Sequence, residues 1–187
     1  MNPLMSVRML WSSRAGWDAL SRTHPSSFRS FVLIVLPLSL LASAMILYAA
    51  WFHADSYGSL APFSYWQAVA LTFLLTCWLS VHAMAQFIRI AVHTRTRPAY
   101  ADCYRLAAIA PIPIWLSSLS LLVPSPLFNV VAAVLGLLAS GGLIFHGLDA
   151  LFEHDDSVRT EALAHTVFAV GALVWTLIVA FLAMPFF

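Results

Sequence analysis

Charged side chains are what this sequence has least of. Only 9% of its 187 residues are Asp, Glu, Lys or Arg, and none is Lys. Because a soluble domain carries about 25% charged residues, this composition excludes an ordinary water-soluble fold. The formal net charge is only +1, so the charge balance does not indicate a nucleic-acid partner.

Cysteine and the usual catalytic motifs are equally scarce. Cys77 lies within an apolar run and Cys103 in a polar stretch, so their depths differ by roughly 20 Å at the helical rise per residue. A disulfide needs Cα atoms within about 7 Å, and we therefore expect two free thiols. The sequence has no Cys/His metal spacing, HExxH, GxSxG or glycine-rich phosphate loop. We expect no metal, no cofactor and no catalytic residue.

Long apolar runs are what the sequence has in abundance. The chain is 61% hydrophobic with a mean hydropathy of +0.87, and runs of 18 or more nearly uncharged residues are candidate membrane spans. The predicted fold class is an all-α integral membrane protein, a bundle of five transmembrane helices. Its spans cover about 31–51, 64–88, 106–123, 127–148 and 162–187.

Residues 1–30 form a more polar tail before the first span. Its apolar residues recur at a spacing typical of a short amphipathic helix lying on the membrane surface. Trp11 and Trp17 are among them, and tryptophan prefers the headgroup level. An alternative is a simple anchored tail.

Arginine is distributed very unevenly between the two sides of the predicted bundle. The tail holds four arginines, residues 89–105 hold four and residues 152–161 hold one, whereas the two opposite loops hold none. Because cytoplasmic loops carry the excess of Lys and Arg, we expect a cytoplasmic N-terminus and a C-terminus on the opposite side.

Prolines interrupt two of the predicted spans. Pro37 lies inside the first, and Pro111 and Pro113 lie inside the third. A proline removes one helical hydrogen bond and crowds the preceding turn, and within lipid the freed carbonyls must find other partners. We expect a third helix that is broken and packs toward the bundle interior. The alternative is a tolerated kink.

The fourth span is rich in small residues, which allow helix backbones to approach closely. Two interpretations remain open: packing against another span of the same chain, or the interface of a homodimer. The positions concerned are Gly136, Ser140, Gly141, Gly142 and Gly147.

Several polar residues approach the predicted cytoplasmic end of the spans. His82, Gln86, Arg89 and His93 share one helix face, and ionisable groups within spans are usually functional. We predict a polar pocket of His82, Gln86, Arg89, His146 and Asp149, with Arg89 paired to Asp149. The alternative is interfacial snorkelling and ordinary interhelix hydrogen bonds.

Several short motifs follow one another in a fixed order along the chain. They are Trp17 in the tail, Leu36-Pro37-Leu38 in the first span, Ile112-Pro113-Ile114-Trp115-Leu116 and Pro124 in the third, and Phe145-His146-Gly147-Leu148 closing the fourth. Their order resembles that of the Yip-one (Ypt-interacting, YIPF) family of five-span membrane proteins, in its bacterial inner-membrane branch. The sequence departs from the family's frequent Tyr and Thr at Ile109 and Ile112.

The resemblance implies a non-enzymatic inner-membrane protein that organises the bilayer or binds protein or lipid partners, with homo-oligomers among them. Two other functions remain open. One is a small transporter or channel that uses the polar pocket and the broken third helix. The other is a lipid-modifying membrane enzyme, which a phosphate or metal beside Arg89, His146 and Asp149 would favour.

Overall fold

Long helices account for most of the described structure. The computed structural model describes residues 26–57, 61–92, 98–151, 162, 165–173 and 175–176, with the side chains of residues 149–151 left aside. Within these ranges, four helices are long and apolar enough to cross a membrane, and no residue lies in a strand. Helices suit apolar surroundings because they satisfy their own backbone N–H and C=O groups.

The first helix, α1 (Ser27–Phe52), contains a π-helical turn at Phe31–Val35. Pro37 follows this turn directly. A proline has no N–H and crowds the preceding turn, and the wider winding makes room for it: the N–H of Leu36 bonds to the carbonyl of Phe31, five residues back. The helix therefore continues through Pro37 without ending.

The second helix, α2, spans Phe63–Ala91, and the next apolar run is a broken helix. Its first half, α3, covers Tyr100–Ile109, and its second half, α4, covers Ile112–Ser117 and continues as a 3-10 helix at Ser118–Leu122. The break lies at Ala110–Pro111, where Pro111 adopts φ −80° and ψ 0°.

The broken helix lies at the centre of the bundle. Half of its most apolar 18-residue window is buried, compared with a third or less in the other three long helices. It packs against α1, α2 and α5 (Pro126–Leu151). In contrast, the other helices carry large exposed apolar side chains, such as Leu79, Ile90 and Leu127. Exposure on this scale is typical of a surface in contact with lipid.

The fourth apolar run forms α5, and its small residues pack within the chain. A Cβ built on Gly136 would lie 3.0 Å from the carbonyl oxygen of Pro113, and one on Gly141 would lie 2.9 Å from the ring of Phe168. Ser140 and Gly147 are buried, whereas Gly142 has nothing within 4 Å of a built Cβ. At Gly136, the close approach is therefore to α4 of the same chain and not to a second copy.

The far end of the bundle, where α1 ends and α5 begins, is held by side-chain hydrogen bonds. His53 Nδ1 lies 3.2 Å from the carbonyl of Leu121 and donates to it, and the Asn129 amide donates to the Tyr57 hydroxyl at 2.6 Å. Burial raises the pKa of Tyr57 above its ordinary value of 10.0, and the bond from Asn129 lowers it by less. The hydroxyl therefore stays protonated at neutral pH. We call these four residues the far-end clamp.

Three element boundaries differ from those expected from the sequence. α1 begins at Ser27, which places Arg29 in the helix and not in the tail. α3 begins at Tyr100, so Arg105 lies in a helix and not in a loop. α2 continues to Ala91 and includes Arg89. A charged residue close to the end of an apolar run favours the prediction of a loop. A local partner nevertheless allows such a residue to be helical, as Asp102 does for Arg105. A surface helix is predicted within residues 1–30, and residues 1–25 of that tail lie outside the described residues, as do most of residues 152–187.

The close approach at Gly136 predicts a stability difference between two glycines of one helix. Gly136→Ala should destabilise the protein by about 1–3 kcal/mol, because its methyl group would meet backbone atoms of α4 that cannot move aside. Gly142→Ala should be neutral or stabilising by up to about 1 kcal/mol, since alanine favours an open helical site. Heat resistance of the detergent-solubilised proteins, measured as the fraction remaining monodisperse, would test this. An equal loss of stability in the two variants would contradict the close packing of Gly136 against α4.

Candidate functional site

Charged and aromatic side chains gather where three helices meet at the end opposite the far-end clamp. The first half of the broken helix, α3, packs against the beginning of α1 and against α2. We call this group the polar end. Its members are Arg29, His82, Gln86, Arg89, Tyr100, Asp102, Tyr104 and Arg105.

Arg105 is the most buried charge of the polar end. Its side chain is 2% exposed and forms an ion pair with Asp102, with 3.2 Å between Nη2 and Oδ1. The pair is local, because residues three apart share a helix face, and Asp102 in the first turn of α3 also suits the positive end of the helix dipole. Since a buried charge must be compensated, Asp102 makes the helical placement of Arg105 possible.

Tyr104 lies beside Arg105 and links α3 to α2. It is fully buried, and its ring meets the His82 ring edge-on at a centroid distance of 4.9 Å. Its hydroxyl has no hydrogen-bond partner among the described residues. His82 Nδ1 lies 2.9 Å from the carbonyl of Trp78, and because a carbonyl only accepts, that nitrogen carries the proton. His82 therefore covers Tyr104 from outside.

The residues of the predicted polar pocket are only partly described. His82 and Gln86 are exposed on α2, and Arg89 is half-buried. His146 is exposed on α5 next to the ring of Phe145. The side chain of Asp149 and all of His93 lie outside the described residues, so the Arg89–Asp149 pair stays a prediction.

A cavity lies on a different face of α2. It has a volume of about 350 Å³ and is bounded by α2, the broken helix, α5 and the helical residues 165–173 and 175–176. None of the four predicted polar-pocket residues with described side chains, His82, Gln86, Arg89 and His146, lines it. The structure thus separates an apolar cavity from the polar end. The helical periodicity of the sequence places His82 and Gln86 on one face of α2. It does not indicate which neighbouring helix packs against that face.

The described residues show no arrangement suited to a metal ion or a reactive thiol. No group of three or more His, Cys, Asp or Glu side chains comes together within them. Cys77 and Cys103 are buried free thiols on different helices.

Among the described residues, four long apolar helices define a multi-pass helical membrane protein: three have exposed apolar faces, and the fourth is the central broken helix. The model of the Yip1 domain matches residues 7–184, nearly the whole chain, and the chain therefore belongs to the Yip1 family. This confirms the family indicated by the motifs, whereas its bacterial inner-membrane branch stays a prediction. Neither a search of curated proteins nor a search of solved structures finds a significant match.

The placement of Tyr104 predicts that its ring matters for stability and its hydroxyl does not. Tyr104→Phe should leave thermal stability unchanged or raise it, because it removes a buried hydroxyl without a described partner. Tyr104→Ala should cost about 3–5 kcal/mol, since it opens a cavity beneath His82. Unfolding of the purified variants in detergent would measure both. A loss of about 1 kcal/mol or more in Tyr104→Phe would show that the hydroxyl is hydrogen-bonded in the intact protein.

Proposed function

We propose that this protein is a non-enzymatic membrane organiser that binds the headgroups of anionic phospholipids at its polar end. The observation that carries the proposal is the convergence of Arg29, Arg89 and Arg105 on one end of the bundle, where Asp102 provides the only acidic side chain among those that the structure describes. Arginine is always charged and contacts phosphate oxygens in pairs. Each arginine close to an anionic membrane surface contributes about 1 kcal/mol.

The graded exposure of the three arginines supports binding at a headgroup. Arg29 is exposed, Arg89 is half-buried and Arg105 is buried with its carboxylate. Arg29 and, in part, Arg89 are open to a ligand at the surface, while Arg105 is held by Asp102 inside the same end of the bundle. Tyr100, which is partly exposed, lies at the same end, where aromatic rings are favoured at a membrane interface.

The proposal includes the topology expected from the arginine distribution. The chain crosses the bacterial inner membrane five times, with the N-terminus and the polar end in the cytoplasm and the far-end clamp on the opposite side. The helical residues 165–173 and 175–176 fall within the predicted fifth span. Membership of the chain in the Yip1 family supports a multi-pass arrangement.

Transport receives less support than binding. A transport path was expected to use the His82 face, but His82 and Gln86 are exposed on α2 and outside the cavity. A lipid-modifying enzyme would need a nucleophile with a base or a metal centre, and neither has been identified among the described side chains. Binding requires only the arginines that the fold brings together.

The topology predicts opposite labelling of two single cysteines. Ser56→Cys, in the exposed 3-10 segment Ala54–Tyr57, should react with a membrane-impermeant maleimide in intact spheroplasts. Ala99→Cys, just before α3, should react only after permeabilisation. The native cysteines are buried, so the unmodified protein serves as the background control. The reverse labelling pattern would overturn the proposed orientation.

Lipid binding predicts a charge-dependent preference for anionic lipid. In nanodiscs that contain phosphatidylglycerol and phosphatidylethanolamine, Arg29→Gln and Arg89→Gln should each weaken retention of phosphatidylglycerol roughly fivefold, the equivalent of about 1 kcal/mol. The measurement is native mass spectrometry of the released protein–lipid complexes.

Matched substitutions separate charge from packing. Arg29→Lys and Arg89→Lys keep the charge and should retain most of the binding, and phosphatidylethanolamine retention should not change in any variant. If the Gln variants retain phosphatidylglycerol as well as the original protein, headgroup binding at the polar end is wrong. Turnover of the supplied lipids by the purified protein would replace the proposal with an enzymatic function.

A further inference from the structure

From the cavity we infer a second lipid site, one that binds an uncharged, largely apolar lipid through a single hydroxyl group. The volume of the cavity, about 350 Å³, lies at the lower end of the range for small-molecule sites. None of the described residues that line it is charged, so a charged headgroup would be uncompensated there. The cavity and the polar end share no residues, and this inference does not depend on headgroup binding.

Ser140 provides the first polar group of the site. It lines the cavity and is 6% exposed, and its Oγ has no hydrogen-bond partner among the described residues. A serine in a helix normally bonds back to a carbonyl of the preceding turn. Ser80, which lines the same cavity, does so by donating to the carbonyl of Cys77 at 3.0 Å. Ser140 is therefore able to serve a ligand, whereas Ser80 is already bonded.

The broken helix provides the second polar group. Pro111 has no N–H, so the carbonyl of Ala107, four residues earlier, lacks its usual helical donor. Both residues line the cavity. Because α5 returns antiparallel to the broken helix and Gly136 faces Pro113, Ser140, one turn further along, lies level with the break. The unpaired hydroxyl of Ser140 and the residue whose carbonyl loses its helical donor thus border the same cavity.

A ligand hydroxyl is the group that satisfies both partners at once. It accepts from the Ser140 hydroxyl and donates to the Ala107 carbonyl. The rest of the ligand is apolar, because side chains such as Met84, Leu137, Ile144 and Phe168 form the remaining wall. Entry is from the bilayer: Ala83 lines the cavity and is exposed on α2, which places an opening on the lipid-facing surface. Long-chain alcohols and neutral glycerides have this chemistry.

The test compares two photoreactive probes in nanodiscs: a long-chain alcohol with a diazirine in its chain, and the alkane of equal length with the same diazirine. Mass spectrometry of the cross-linked peptides should place the alcohol on Met84, Phe168 and their neighbours, at least fivefold above the alkane. Ser140→Ala should abolish this excess. Ser80→Ala is the matched control and should retain it, since its hydroxyl is already bonded to its own helix.

Further variants keep the inference testable if Ser140→Ala does not fold. Ala83→Phe should fill the opening and reduce cavity labelling by both probes, whereas Leu79→Phe, exposed on the same helix outside the lining, should not. Equal labelling by alcohol and alkane would overturn the role of the hydroxyl. Labelling that is spread over the lipid-facing surface and insensitive to Ala83→Phe would overturn the site itself.

Discussion

The bundle depends on one constraint: within apolar surroundings, each backbone N–H and C=O must find a partner inside the protein. Continuous helices meet this requirement on their own, and proline is the residue that disturbs it. The chain accommodates its prolines in two ways. At Pro37, the helix widens into a π turn and continues. At Pro111, the helix breaks inside the bundle, where it packs against three other helices and borders the apolar cavity.

The broken helix organises both candidate binding regions. Its first half carries Tyr104 and the Asp102–Arg105 pair, which form the inner part of the polar end. Its break, at Ala110–Pro111, forms one wall of the apolar cavity. Gly136 allows α5 to lie directly against its second half. A central element in contact with α1, α2 and α5 can place polar chemistry at the membrane surface and apolar chemistry further inside without either disturbing the other.

Most of the helices were predictable because length and charge density decide whether a segment can cross lipid. The broken third helix followed from Pro111 and Pro113 for the same backbone reason. The helical positions of Arg29 and Arg105 were missed, because a charged residue next to an apolar run resembles a loop unless its partner is recognised. Asp102, three residues before Arg105, was the signal available in the sequence. The i, i+3 spacing would have indicated a local ion pair.

The candidate sites were less predictable than the fold. Helical periodicity places His82, Gln86 and Arg89 on one face, but it does not reveal that Tyr104 from another helix lies beneath His82. The cavity arises where four helical segments do not fill the space between them. It therefore cannot be predicted from the sequence of any one segment. The different hydrogen bonding of Ser80 and Ser140 likewise depends on tertiary placement.

The far-end clamp has a mechanical consequence. His53 joins the link after α1 to the end of the broken helix, and Tyr57 in the same link is joined to Asn129 in the first turn of α5. Because the bonded residues lie 68 and 72 positions apart in the chain, any displacement of the end of α1 relative to these two helices has to break a hydrogen bond.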